Sequence, residues 1–184
     1  MAQVTVNKLD AARRQIDEAV RLLFENRDPV AIHTLAAAAF EILRDLCKKT
    51  DDSEVLRAFD EILRPGMERE FWGVFKSASN FFKHANRDPQ GTMTYGEEAN
   101  DILLFLCCAL FLDLEQPFTH EMRVLVAWTA LFYPQYVKGP LKDAIRLHVD
   151  VGRLHQMSRV ERLEFGGQAL DELRQLEGDG AGGM

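Results

Sequence analysis

The chain has 184 residues, 47% apolar and 28% charged, with a net charge of −7. One domain with a sizeable core is the natural count at that length. The acidic balance argues against a general nucleic-acid or anionic-membrane binder, whose surface would be basic.

Helical periodicity opens the chain. From about Val6 to Asn26, Leu9, Ala12, Ile16, Ala19, Val20 and Leu23 recur at helical spacing, with Arg13, Arg14, Asp17 and Glu18 between them. Asn26-Arg27-Asp28-Pro29 stops this helix: Asp28 is placed to accept orphan amides, and Pro29 suits the first position of a second helix. That helix, Val30 to about Lys49, carries Ile32, Leu35, Ala36, Ala39, Ile42, Leu43 and Leu46 on one face. Ser53 caps a shorter helix, which Arg64-Pro65-Gly66 breaks. A helix from about Met67 to Ala85 leads into a turn over Asn86 to Gly91.

Thr94 or Tyr95 begins the next helix, with Glu97 and Glu98 at the positive end of its dipole. It reaches Gln116 and is apolar nearly all round from Ile102 to Leu112, so the helix over about 97–116 belongs at the centre of a bundle. That apolar run of eleven residues is too short to span a bilayer. Thr119 caps a helix over Val124 to Phe132, and Ser158 with Glu161 forms a capping box for a last helix to about Leu176, interrupted at Gly166-Gly167. The expected fold is all-α, a single-domain bundle of about six to seven helices around the 97–116 helix. Residues 1–137 form its core, 138–177 a less protected C-terminal helical arm packed on the same domain, and 178–184 a disordered tail.

The chemistry concentrates in Phe71 to Pro89. Phe71, Val74, Phe75, Ala78, Phe81, Phe82 and Ala85 form a core-facing stripe, occupying roughly a third of a turn. Beside it runs a lane of small and polar groups, Glu70, Gly73, Ser77, Asn80 and His84. A basic ridge follows, with Arg69, Lys76, Lys83 and Arg87, and Trp72 lies between the apolar and basic lanes, where an interface aromatic would sit. An imidazole is a side chain suited to proton transfer, which makes His84 a candidate, and Asn80 and Ser77 project from its lane. The same lane, with Gly73, equally suits a close helix–helix contact, and the ridge suits either phosphate or solvent. His33 lies at the edge of the second helix's core stripe, where it is either a boundary residue or a partner for His84.

Metal and cofactor motifs are missing. Val30, Phe81, Pro117, Ile145 and Gly152 stand three before the five histidines, so no Glu-x-x-His pair exists for a di-iron bundle. Cys47, Cys107 and Cys108 have no metal-type spacing, and Gly-rich phosphate loops are absent. We expect no metal and no cofactor. The N-terminus reads as no signal peptide, and the thiols as reduced, so the chain reads as cytoplasmic with no membrane partner.

The run SNFFKHANRD, on a mid-chain helix of an all-helical protein, resembles the HEPN superfamily. The resemblance implies a helical bundle, commonly dimeric, in which an Arg-x4–6-His motif at the dimer interface cleaves RNA without metal. His84 matches the histidine and Asn80 the polar position. Ser77, Ala78 and Ser79 occupy the arginine's window, and Lys76 stands eight before His84.

The first expectation is a non-enzymatic helical-bundle module for binding or regulation, a homodimer with another protein as a further candidate partner. Its binding residues would be Arg69, Trp72, Gly73, Ser77, Lys83 and Arg87. The alternative is a HEPN-like ribonuclease using His84 with Asn80 and Lys76, although the net charge disfavours RNA. The third is a small-molecule-binding bundle with its pocket beneath the Gly73–Ser77 lane.

Overall fold

The computed structural model describes residues 2–50, 53–57, 68–86, 88–135, 154 and 156–180, the side chains of 68–72, 74, 75 and 178–180 excepted. The described residues build six long helices and no strand: α1 (Lys8–Phe24), α2 (Pro29–Cys47), α3 (Glu68–Lys83), α4 (Ala99–Asp113), α5 (His120–Phe132) and α6 (Arg159–Gly180). The protein is an all-α helical bundle, and no helix among the described residues is long and apolar enough to cross a membrane.

Local chemistry sets the helix starts. Asn7 Oδ1 accepts from the amide of Asp10, Asp28 Oδ1 from those of Val30 and Ala31, and Thr119 Oγ1 from that of Met122. At α6 the capping box closes both ways: Ser158 N–H donates to Glu161 at 2.7 Å, and Glu161 N–H to Ser158 Oγ at 3.3 Å. Asn26 takes a φ of 51° in the four-residue turn that folds α2 back along α1. The start expected at Thr94 or Tyr95 falls later. Residues 91–96 have no regular secondary structure, Glu97 and Glu98 form a turn, and α4 begins at Ala99.

As its all-round apolarity requires, α4 packs against α1, α2 and α5, burying Leu103, Leu104, Leu106, Cys107, Cys108, Leu110 and Phe111. The thiols face this core. Cys107 donates to the carbonyl of Ala36, and burial raises its pKa and that of Cys108; burial pushes Cys47 up to about 11. Such thiols are poor nucleophiles. α3 lies on the outside of α2, and α6 on α5 and α1.

Two buried carboxylates fasten α6. Asp101 is fully buried in the first turn of α4 and takes both terminal nitrogens of Arg159, at 2.7 and 3.0 Å, and the hydroxyl of Tyr133 at 2.8 Å. Glu121 accepts from Arg21 of α1 at 2.9 Å and from Arg174 of α6 at 2.6 Å. Trp128 Nε1 donates to the Arg162 carbonyl at 2.7 Å. Without α6, both buried carboxylates lose a cation and an indole loses its acceptor, which is a severe penalty in a dry core. The described part of the C-terminal arm is therefore tied to the rest of the bundle by buried polar contacts. It also continues as helix through Gly180, past the point where the tail was expected to begin; residues 181–184 lie outside the described part.

Gly166 and Gly167 do not interrupt α6. The reason is tertiary: a Cβ on Gly166 would stand 2.3 Å from the Phe24 ring, whereas one on Gly167 would meet only ordinary contact at 3.7 Å. Phe24 in turn packs edge-on against Trp128 at 5.8 Å. Gly166→Ala should lower stability by about 1–3 kcal/mol through overpacking. Gly167→Ala, which gains helix propensity without a clash, should leave it unchanged or raise it by up to about 1 kcal/mol. Chemical denaturation of both variants checks this, and equal losses would show that the ring moves aside.

Acid provides a second check. Burial pulls the Glu121 pKa up, but its backbone amide, Arg174 and Arg21 outweigh that and hold it below the ordinary carboxylate value. A depressed pKa contributes stability at neutral pH that disappears as pH falls through the folded-state pKa. Glu121→Gln should therefore reduce the melting temperature at neutral pH and flatten its decline in acid. A variant curve parallel to wild type throughout would assign the acid limb to other groups.

Candidate functional site

α3 presents its lane of small and polar residues outward. Ser77 and Asn80 are exposed, and His84, just beyond the helix end, donates its backbone N–H to the Asn80 carbonyl at 3.0 Å. Asn86, Asp88 and Met93 of the following segment line, together with Ser77, Asn80, Phe81 and His84, an open cleft of about 370 Å³. Gly91 shapes the wall. Its amide bonds the Asp88 carbonyl at 3.2 Å, and a Cβ there would fall 2.0 Å from the Asp88 carboxylate. The cleft therefore gathers hydroxyl, amide, imidazole and carboxylate groups around one aromatic and one thioether side chain.

A partly buried aromatic cluster adjoins the cleft through Phe81. Phe81 packs edge-on against Phe82, and Phe82 against Tyr95 at 5.4 Å and against His33 at 5.6 Å. His33 is 1% exposed, and its Nδ1 lies 2.9 Å from Asn100 Oδ1. Asn100 Nδ2 donates to the Pro29 carbonyl at 3.0 Å, so its Oδ1 is the acceptor and His33 Nδ1 carries the proton. His33 is thus a core residue of α2, not the boundary residue or the partner of His84 that its position in the sequence allowed.

The basic ridge goes elsewhere. Lys76 borders a small niche with Glu41 and Arg44 of α2, and Lys83 borders a cleft of about 430 Å³ with Lys8, Glu41 and Asp45. Of the expected trio, Asn80 and His84 share the cleft, whereas Lys76 lies against α2. The side chains of Arg69 and Trp72, and the whole of Arg87, lie outside the described residues. Gly73 is half-buried, and a Cβ built on it meets no described atom within 4 Å, so the described part of the chain forms no close helix contact there. Asn86, Asp88 and Met93 escaped the sequence reading because the Asn/Asp/Gly signal marks a turn without saying what the turn faces. Among the described residues, no three His, Cys, Asp or Glu side chains converge to hold a metal ion.

His84→Ala should change stability by less than about 0.5 kcal/mol, as an exposed position does. His33→Ala, which empties a packed site and orphans the Asn100 carbonyl, should cost about 2–4 kcal/mol. Thermal unfolding of both variants tests the division between cleft and core, and comparable losses would place His84 in the supporting structure.

Comparison with known proteins adds no identity: no protein-family model, curated protein or solved structure matches this chain.

Proposed function

We propose that this protein is a non-enzymatic binding or regulatory module, homodimeric and cytoplasmic, whose ligand-facing surface is the cleft of Ser77, Asn80, His84, Asn86 and Asp88. The observation that carries this reading is the division of side chains around α3. The polar lane faces a cleft containing a carboxylate, and Lys76, the cation that the nuclease reading pairs with His84, lies against α2 beside Glu41. General acid–base cleavage of RNA needs a positive group near the scissile phosphate, and a carboxylate there opposes it. A volume of about 370 Å³ falls within the range of ligand pockets, which also favours the small-molecule reading. Gly73 has no described atom within 4 Å of where its Cβ would stand and lies beside exposed Ser77, which suits a second copy across a two-fold axis.

The HEPN-like ribonuclease remains the second reading, supported by Asn80 and His84 lining one cleft. The two readings separate in a single assay. Purified protein incubated with single-stranded RNA in the presence of a chelator should leave the RNA intact. Cleavage that falls about a hundredfold or more in His84→Ala, with the fold unchanged, would replace the binding module by the nuclease. Sedimentation equilibrium should report a dimer that Gly73→Leu weakens, and a monomer at every concentration would remove the homodimer.

A further inference from the structure

The cleft at the end of α3 combines polar groups that a guest can reach with two half-buried apolar ones. Ser77, Asn80, His84, Asn86 and Asp88 are exposed, and Phe81 and Met93 are half-buried. Its fixed charge has one sign. The Asp88 carboxylate meets no cation among the described residues, and no lysine or arginine lines the cleft with it. The described lysines of α3 go elsewhere: Lys83 borders another cleft with Glu41 and Asp45, and Lys76 lies against α2. The backbone adds to the carboxylate. Ser77, Asn80 and Phe81 belong to the last two turns of α3, and His84 follows its end. The cleft therefore sits at the negative end of a helix dipole, where the final carbonyls lack intrahelical partners.

Resting on the reading of this cleft as the ligand-facing surface, we propose that its ligand is a small organic cation, a protonated primary amine on an apolar body. The Asp88 carboxylate supplies the counter-charge. An ammonium group carries three N–H donors, and the side-chain oxygens of Asn80, Asn86 and Ser77 are acceptors for those that Asp88 does not take. A quaternary ammonium would leave these acceptors unused. Phe81 and Met93 offer apolar contact to the rest of the molecule, which a bare metal ion could not use. A metal ion would also find no three converging His, Cys, Asp or Glu ligands among the described residues. An anion would be repelled by Asp88, by the helix end and by a chain of net charge −7.

The test titrates the whole chain with three probes of nearly equal size: 2-phenylethylammonium, 2-phenylethanol and phenylacetate. The titrations are run at about pH 8, where an ordinary imidazole is neutral. Amide shifts in two-dimensional NMR report both the affinity and the place of binding. The ammonium probe should shift the amides of Ser77, Asn80, His84 and Gly91. It should bind about three- to tenfold more tightly than the alcohol, as a partly exposed charge pair allows. Phenylacetate should bind most weakly. Asp88→Asn, which keeps the shape of the side chain, should bring the ammonium affinity down to that of the alcohol. Added salt should narrow the same gap in the wild type. Equal binding of ammonium and alcohol, or a preference for phenylacetate, would overturn the cation while leaving the cleft a binding surface. Ammonium binding that is unchanged in Asp88→Asn, or that shifts amides elsewhere instead, would overturn it as well. No shift from any of the three probes would overturn both the cation and the reading of the cleft.

Discussion

The constraint on which this bundle depends is the buried carboxylate of Asp101, at the first turn of its most apolar helix. A charge there is tolerable only because Arg159 meets it with two hydrogen bonds and Tyr133 with a third. Those partners belong to α6 and to the residue that ends α5, so satisfying one side chain fixes where two helices must lie. Arg159 Nε also stands 3.1 Å from Glu97, which draws in the turn before α4. The neighbouring residue, Asn100, reaches the other way, to His33 and the Pro29 carbonyl on α2. Two adjacent polar residues at the head of the central helix thus pin the bundle in two directions.

The cleft connects to the Asn100 side of this arrangement through Phe81. His33 is held by Asn100, Phe82 rests on His33 and Tyr95, and Phe81 beside Phe82 lines the cleft. On the opposite side of α3 the helix meets α2 through a contact with unmade hydrogen bonds at Ser79 and Arg44. The helix that carries the candidate site is therefore well anchored at its C-terminal end and under-satisfied along its inner face.

Much of the fold was legible in the sequence because the signals are local. The caps at Asp28, Thr119 and Ser158 bond amides two or three residues away, and the amphipathic stripe of α1 needs only periodicity. The all-round apolarity of α4 marked it as central without any knowledge of its neighbours. The grouping of Ser77, Asn80 and His84 on one lane was legible for the same reason, since helical geometry alone decides it.

The sequence by itself therefore determined the helices, most of their boundaries, the central element and the polar lane of α3. Only the tertiary structure decided what each face meets. The glycine pair that should break α6 is instead a groove for Phe24, a cost in helix propensity offset by a contact far away in the chain. Asp88 was readable as a turn residue but not as a cleft wall, and Lys76 as part of a ridge but not as a neighbour of α2. Asn100 and Asp101 looked like the polar lead-in to an apolar helix, yet they are buried because His33 and Arg159 come to meet them. Local backbone chemistry acts over one turn of chain and can be read along it. Burial and pairing depend on which distant surfaces the fold brings together.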